Sequence, residues 1–244
     1  MTATPGEVLE APKRAEAGAR RMLPTRSSAA QAIGASTSEI VLLTDPTGPQ
    51  SEATRALRAH ILASHRHRGR RALVVCAASE GAGCTQVAVN LAVALSQTGL
   101  KVLLIDADLR QPTVHKYFPS VSGAPGLYEC LQSPDTVVAG SIITDPATEL
   151  AIMPAGGVTD EAADLLSADR LKPLLDRMQR EFDVTIIDTP PANTCSDAGM
   201  ISSVAGYSLI VARRDASFVA DIKTLANELR RNHAHIVGNV LNEG

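Results

Sequence analysis

The chain has 244 residues, of which 45% are hydrophobic but only 2% are aromatic, and its formal net charge is −3. This length allows one large domain or two small ones, with a core built mainly from Val, Leu, Ile and Ala. The small negative charge gives no bulk electrostatic basis for binding nucleic acid, and no apolar run approaches the roughly 20 residues that span a bilayer. Four cysteines without paired spacing argue against a disulfide framework or a zinc site and are typical of a reducing cytoplasm.

The N-terminal part of the chain differs in composition from the rest. Residues 1–38 are rich in small and polar residues, Pro and Arg, and they contain no aromatic residue. This composition predicts a disordered tail, followed by a folded domain over residues 39–244. A short apolar run at residues 40–43 is expected to dock on that domain. A turn signal follows at residues 45–49, and a helix is predicted over residues 51–64 with Ser51 as its N-cap.

From residue 72 onward, predicted strands and helices alternate. The strands fall at residues 72–77, 102–106, 150–153, 184–188, 208–212 and 236–241. The helices fall at residues 85–98, 168–181, 196–204 and 218–232. This alternation predicts an α/β fold with a doubly wound, mostly parallel sheet.

A glycine-rich loop, Ser-Glu-Gly-Ala-Gly-Cys-Thr at residues 79–85, joins the first of these strands to its helix. Gly81 and Gly83 let the backbone approach phosphate oxygens, and the hydroxyl of Thr85 is suited to Mg²⁺. Such a loop at a helix N-terminus directs N–H groups at a phosphate. An ordinary strand–helix turn, in which the glycines serve geometry alone, is the other interpretation. Cys84 stands where a P-loop carries its lysine.

Three acidic residues follow strands of the predicted sheet. Asp106 and Asp108 end the second strand, and Asp188 ends a hydrophobic strand in the Walker-B pattern. The carboxyl edge is where open α/β sheets place their ligands. A carboxylate there holds Mg²⁺ or accepts a proton from a hydroxyl nucleophile, although a lone acid at a strand end is often a turn residue.

Four passages together resemble the bacterial tyrosine kinase (BY-kinase) family. They are Glu-Ala-Thr-Arg-Ala-Leu-Arg at residues 52–58, the glycine loop with Asn-Leu-Ala-Val-Ala-Leu at 90–95, Asp-Ala-Asp-Leu-Arg-Gln-Pro at 106–112, and Asp-Thr-Pro-Pro at 188–191. The resemblance covers roughly residues 40–242. It implies a P-loop NTPase of the deviant Walker, MinD-like type, with ATP and Mg²⁺ as cofactors.

The resemblance also implies a cellular role. Family members are cytoplasmic proteins at the inner membrane face that work with a transmembrane polysaccharide co-polymerase or adaptor. They control the polymerisation and export of exopolysaccharide or capsular polysaccharide. By this resemblance the chain reaches the membrane only through the adaptor and forms a ring-shaped homo-oligomer.

Site residues follow from the same resemblance, position by position. Asp106 and Asp188 are assigned to the metal together with Thr85, and Asp108 is assigned to activation of a tyrosine hydroxyl. The nucleotide-binding residues are Gly81, Ala82, Gly83, Cys84, Thr85 and Gln86. A subunit interface is assigned to Glu52, Arg55 and Arg58, for which a solvated helix face is the alternative reading.

Cys84 is the main departure from the family pattern. Losing the lysine's charge-assisted contact costs about 1.5–3 kcal/mol of binding. Losing a group that faces transition-state charge costs about 3–4 kcal/mol, or roughly 10²–10³ in rate. We therefore expect nucleotide binding to survive while kinase activity is weakened. Cys84 itself is either a small neutral residue or a reactive thiol at a helix N-terminus.

Other functions remain open at this level. The chain is an active protein-tyrosine kinase with ATPase activity if another cation, such as Arg110 or an arginine from a neighbouring subunit, replaces the lysine. It is a dinucleotide-dependent Rossmann enzyme if the glycines serve that fingerprint, although Gln86 occupies the third glycine position. A MinD-like positioning ATPase would carry a lysine where Ser79 stands.

Overall fold

The computed structural model of the protein describes residues 40–65, 72–133 and 138–243. The predicted tail over residues 1–38 lies outside these ranges. The elements in chain order are α1 (Val41–Thr44), α2 (Pro49–His65), β1 (Ala72–Ala77), α3 (Cys84–Ser96), β2 (Val102–Asp106), α4 (Val114–Tyr117), a 3₁₀ turn (Pro119–Val121), α5 (Leu127–Gln132), β3 (Ile143–Thr144), β4 (Ala151–Met153), α6 (Ala162–Leu165), α7 (Ala168–Glu181), β5 (Val184–Asp188), α8 (Asp197–Ala205), β6 (Tyr207–Arg213), α9 (Val219–Arg231) and β7 (His235–Asn242).

Seven strands form one sheet in the order β3-β4-β2-β5-β1-β6-β7. Every neighbouring pair is parallel except β3 with β4. The central strands β1, β2 and β5 are buried along their whole length, as expected for a parallel sheet covered on both faces. The doubly wound, mostly parallel α/β fold predicted from the sequence is therefore confirmed.

Helices cover both faces of the sheet and create two hydrophobic clusters. One cluster joins α1 to α4 to one face, and its apolar side chains include Ile40, Ile61 and most of α3. The other joins α5 to α9 to the opposite face. Among the helices described, none combines the length and apolar composition needed to cross a bilayer.

The predicted strands and helices are present, four of them with the predicted bounds and the others with ends displaced by one or two residues. The helix predicted over residues 85–98 is α3, which begins at Cys84 because Gly83 before it has a left-handed conformation with φ of 85°. The apolar run at 40–43 does pack on the domain, where Ile40 and Leu42 are buried.

Ser51 is a correction to the sequence analysis. It does not cap a helix, because α2 already begins at Pro49. Its buried hydroxyl instead donates to the carbonyl oxygens of Val41 at 3.0 Å and Asp45 at 2.7 Å. The side chain therefore fastens α1 and the following turn to α2.

Candidate functional site

The glycine loop turns sharply between β1 and α3. Gly81 and Gly83 have φ of 74° and 85°, a region that L-residues with a Cβ rarely adopt. A Cβ at Gly83 would also lie 2.1 Å from the side-chain nitrogen of Asn242, so the Asn242 side chain would have to shift. The loop therefore depends on both glycines.

The loop borders a cleft of about 360 Å³ at the carboxyl edge of the sheet. Its lining comprises loop residues Ser79 to Gln86 together with Ala77, Asp108, Arg110, Gln111, Thr113, Thr189, Pro190, Pro191 and Thr194. All six predicted nucleotide-binding residues and Asp108 thus face one cleft. A second cleft of about 390 Å³ lies between α2 and the end of β7, shares only Gln86 with the first, and contains none of the predicted acids.

Asp106 and Asp188 lie beside each other below the cleft. They occupy paired register positions on β2 and β5, and each is only 1% exposed. Asp106 accepts backbone hydrogen bonds from Asp108, Thr113 and Val114 at 3.0–3.2 Å. Burial raises the pKa of both carboxyl groups, and the charge of Asp106 further raises the pKa of Asp188.

One oxygen of this pair has no partner. Asp188 Oδ1 is buried and makes no hydrogen bond, although the side chains of Thr85 and Cys84 contact the same carboxyl group. The hydroxyl of Thr85 accepts a hydrogen bond from Thr113 at 3.0 Å. An unsatisfied buried carboxylate oxygen is costly and is expected where a cation or its bound water belongs.

These residues fit Mg²⁺ carried by a phosphate ligand. Within the described ranges, no group of three or more His, Cys, Asp or Glu side chains forms a metal site of its own. Mg²⁺ is usually held by one or two carboxylates and by substrate phosphates. Asp188 contacts Thr85 at the start of α3, and Asp106 lies beside Asp188 on the neighbouring strand, so these three side chains could supply that smaller oxygen set.

Asp108 occupies a different position from Asp106. It lines the cleft, and its Oδ1 accepts the N–H groups of Arg110 at 3.1 Å and Gln111 at 2.8 Å. Asp106 and Asp108, which were predicted to reach one site, therefore differ in position: Asp106 is buried beside Asp188, whereas Asp108 lines the cleft.

Cys84 presents its thiol to the interior. The Sγ atom donates to the carbonyl of Val75 at 3.1 Å. Burial and the nearby charge of Asp188 raise the thiol pKa well above its ordinary value. The arrangement favours a neutral thiol over a reactive thiolate.

Arg110 is already engaged by another acid. Its Nε lies 2.9 Å from Oδ2 of Asp197, a side chain with no exposure, and its Nη1 donates to the carbonyl of Asp160 at 2.8 Å. Asp197 thus neutralises the positive charge of Arg110, which the sequence suggested as a substitute for the lysine. The geometry disfavours that role.

Two loop contacts were missed by the sequence analysis. Arg213 Nη1 donates to the carbonyl of Gly81 at 3.2 Å, and Asn242 Nδ2 donates to the carbonyl of Ala82 at 3.1 Å. Both residues end strands, β6 and β7, on the edge that carries the site. Because both residues end strands, the sequence could have indicated that they lie at this edge of the sheet. It could not indicate which loop they contact, since they are 132 and 160 residues from their partners.

The predicted interface residues differ in exposure: Glu52 is exposed, whereas Arg55 and Arg58 are partly buried. Arg55 forms an ion pair with Glu52 at 3.0 Å, and Arg58 donates to the carbonyl of Ala94 on α3 at 3.1 Å. Glu52 is the most accessible, with 71% of its side chain exposed. Their role in an interface stays a prediction.

Comparison with known proteins places this geometry in a family. The AAA domain family matches residues 71–237. The tyrosine-protein kinase YwqD of Bacillus subtilis is 33% identical over 172 residues, which cover 70% of this chain and 72% of that protein. Relatives from Klebsiella pneumoniae, Acinetobacter johnsonii and Ralstonia solanacearum are matched over only 22–28% of their own length.

Solved structures agree with the sequence relatives. The kinase domain of the Escherichia coli tyrosine kinase ETK is 30% identical, with a TM-score of 0.78 and coverage of 83% of this chain and 79% of that one. The cell-division ATPase MinD of Pyrococcus furiosus has a TM-score of 0.61 at 25% identity, covering 70% of this chain and 71% of that one. The fold is thus a P-loop ATPase fold of the MinD-like type. From its loop, its paired acids and these relatives, the chain belongs to the bacterial tyrosine kinase family.

Proposed function

We propose that the cleft binds ATP together with Mg²⁺. The observation that carries this proposal is the buried, unpartnered Oδ1 of Asp188 beside Asp106, at the foot of a glycine loop that opens a helix. Thr85, Asp106 and Asp188 would hold the metal, which when bound neutralises phosphate charge. The backbone from Gly81 to Gln86 would surround the phosphates.

Asp108 is the residue suited to proton transfer in this proposal. It lies on the cleft wall, where an incoming tyrosine hydroxyl would approach, and two backbone N–H groups orient its carboxylate. A carboxylate so placed would accept the hydroxyl proton as general base. Pro190 and Pro191 also line the cleft.

We further propose that catalysis is weakened because the loop has no lysine. Cys84 is neutral and turned inward, and Arg110 is held by Asp197. The loss of one preorganised cation lowers the rate by roughly 10²–10³. A fully active kinase on a partner protein is the second candidate, favoured by the presence of Asp108 in the cleft.

The cellular role is proposed from the relatives. The chain would act in the cytoplasm at the inner membrane face, with a transmembrane polysaccharide co-polymerase or adaptor, to regulate capsular or exopolysaccharide polymerisation and export. Subunits would assemble into a ring through Glu52, Arg55 and Arg58 on α2. Residues 39–244 would form the nucleotide-binding domain.

Restoring the lysine tests the weakened catalysis. We expect Cys84→Lys to raise Mg²⁺-dependent ATP turnover by about 10²-fold, because the rest of the site is in place. Cys84→Ser is the matched control, since it changes the same atom without adding charge, and should leave turnover near the wild-type level. If the wild-type protein turns over ATP as fast as Cys84→Lys, the weakened-kinase proposal is contradicted and the second candidate is supported.

A further inference from the structure

The carbonyl groups of the glycine loop are held from outside the cleft. Arg213 binds the carbonyl of Gly81, and Asn242 binds that of Ala82, at 3.2 and 3.1 Å. In a trans peptide the C=O and the following N–H point in opposite directions. Fixing these two carbonyls toward β6 and β7 therefore turns the N–H groups of Ala82 and Gly83 the other way, toward the cleft.

The cleft itself lacks free positive charge. Its charged lining consists of Glu80, Asp108 and Arg110, and Arg110 is neutralised by Asp197. Asp106 and Asp188 add two further acids below it. Once these acids are ionised, the phosphates of a ligand would face more negative than positive side chains in and below the cleft, so a cation close to the loop would favour binding.

Arg213 is a cation in the required place. Its side chain is exposed and hydrogen-bonds the loop, and no carboxylate of the described residues lies within ion-pair distance of its guanidinium. Its neighbour Arg214 differs, because it pairs with Glu243 at 2.8 Å and lies 3.9 Å from Asp215. The charge of Arg213, next to the loop, is thus not shared with a carboxylate of the described residues, whereas that of Arg214 is.

We propose that Arg213 is a positioning residue of the phosphate loop and supplies the cation that Cys84 does not provide. With Asn242 as a neutral brace, it turns the loop N–H groups toward the phosphates and offsets the acids around them. The inference rests on the proposed binding of Mg²⁺–ATP. It assigns the role of the missing lysine charge to a residue at the end of β6, 132 residues from Gly81 in sequence.

Nucleotide affinity of charge-neutral variants tests the inference. Arg213→Gln keeps a hydrogen-bond donor but removes the charge, and should weaken Mg²⁺–ATP binding on the order of tenfold. Arg214→Gln, which removes the same charge one residue away, should stay within about twofold of wild type. Arg213→Lys should retain most of the affinity. All three should melt near the wild-type temperature, since both side chains are exposed.

A double variant separates a charge effect from a structural one. If Arg213 replaces the lysine, then Arg213→Gln should cost much less affinity in a Cys84→Lys background than alone. Equal losses in both backgrounds, or equal affinities of Arg213→Gln and Arg214→Gln, would overturn the inference while leaving nucleotide binding intact. A wild-type protein that binds no Mg²⁺–ATP would instead overturn the proposed function on which the inference rests.

Discussion

Two features disfavour the ionised form of Asp188: its burial in the protein interior and the nearby carboxylate of Asp106. Both raise its pKa; hydrogen bonds from the side chains of Thr85 and Cys84 to the carboxyl group lower it in part, but Oδ1 itself receives none. Such a group weakens the fold unless a proton or a cation joins it. Binding of a metal-bound nucleotide would offset this loss of stability, because the metal ion would neutralise the buried carboxylate.

This arrangement predicts an unusual dependence of stability on pH. Unfolded aspartates titrate near pH 4, whereas Asp106 and Asp188 keep their protons to higher pH in the folded protein. The folded state then binds more protons, so the free energy of unfolding of the metal-free protein should fall as pH rises above about 4. Thermal unfolding from pH 5 to 8 in the presence of a chelator measures this.

Asp188→Asn should reduce that pH dependence and raise stability at pH 8 by about 2 kcal/mol, because it removes a buried, poorly compensated charge. Asp176→Asn, at an exposed acid of α7, is the control and should change stability by less than about 0.5 kcal/mol. A lower melting temperature for Asp188→Asn at pH 8 would show that the carboxylate is well satisfied in the free protein.

The thiol of Cys84 should be unreactive. Thiolate is the nucleophilic form, and burial beside Asp188 raises the pKa of this thiol. We expect iodoacetamide at pH 8 to modify Cys84 more slowly than free cysteine, as followed by site-resolved mass spectrometry. Labelling at or above the rate of free cysteine would revive the redox interpretation.

At the scale of elements, one buried hydroxyl links α1 to α2. The single proton of Ser51 is shared between the carbonyl groups of Val41 and Asp45, each of which also accepts a backbone N–H. Ser51→Ala should therefore lower the free energy of unfolding by about 1–2 kcal/mol in urea titrations. Thr54→Ala, whose exposed hydroxyl bonds only within α2, should change stability by less than half as much.

The central elements could be predicted because their sequences carry strong local signals. β1, β2 and β5 are continuous apolar runs, and the loop before α3 has its glycines at fixed spacing. Short pieces such as α4, α6 and β3 were not predicted, because two to four residues are too few to establish a periodicity. Ser51 was misassigned because a serine before a helical run has the same local pattern as an N-cap.

Part of the site was predictable because it, too, carries strong local sequence signals. Asp106 and Asp188 are marked by the ends of their own strands, and their meeting follows from parallel strand order. The contacts of Arg213 and Asn242 with the loop, and the capture of Arg110 by Asp197, depend on packing between distant segments. No local pattern in a single sequence contains that information.

At the scale of the whole molecule, α2 carries the surface proposed for assembly. Glu52 is mostly exposed and, within the part of the chain that the structure describes, forms an ion pair only with Arg55, so it contributes little to the stability of the folded chain. Glu52→Ala should leave unfolding within about 0.5 kcal/mol of wild type. If α2 forms the ring interface, the same change should shift sedimentation toward smaller species, whereas Glu181→Ala on α7 should not.

Calorimetric titration of nucleotide is the most direct test of the central claim, that the loop and the paired acids bind Mg²⁺–ATP without a lysine. The account predicts saturable heat for wild type with Mg²⁺ and ATP, and severe weakening either without Mg²⁺ or in Asp188→Asn. Absence of heat at millimolar Mg²⁺–ATP, or equal binding by Asp188→Asn, would contradict it.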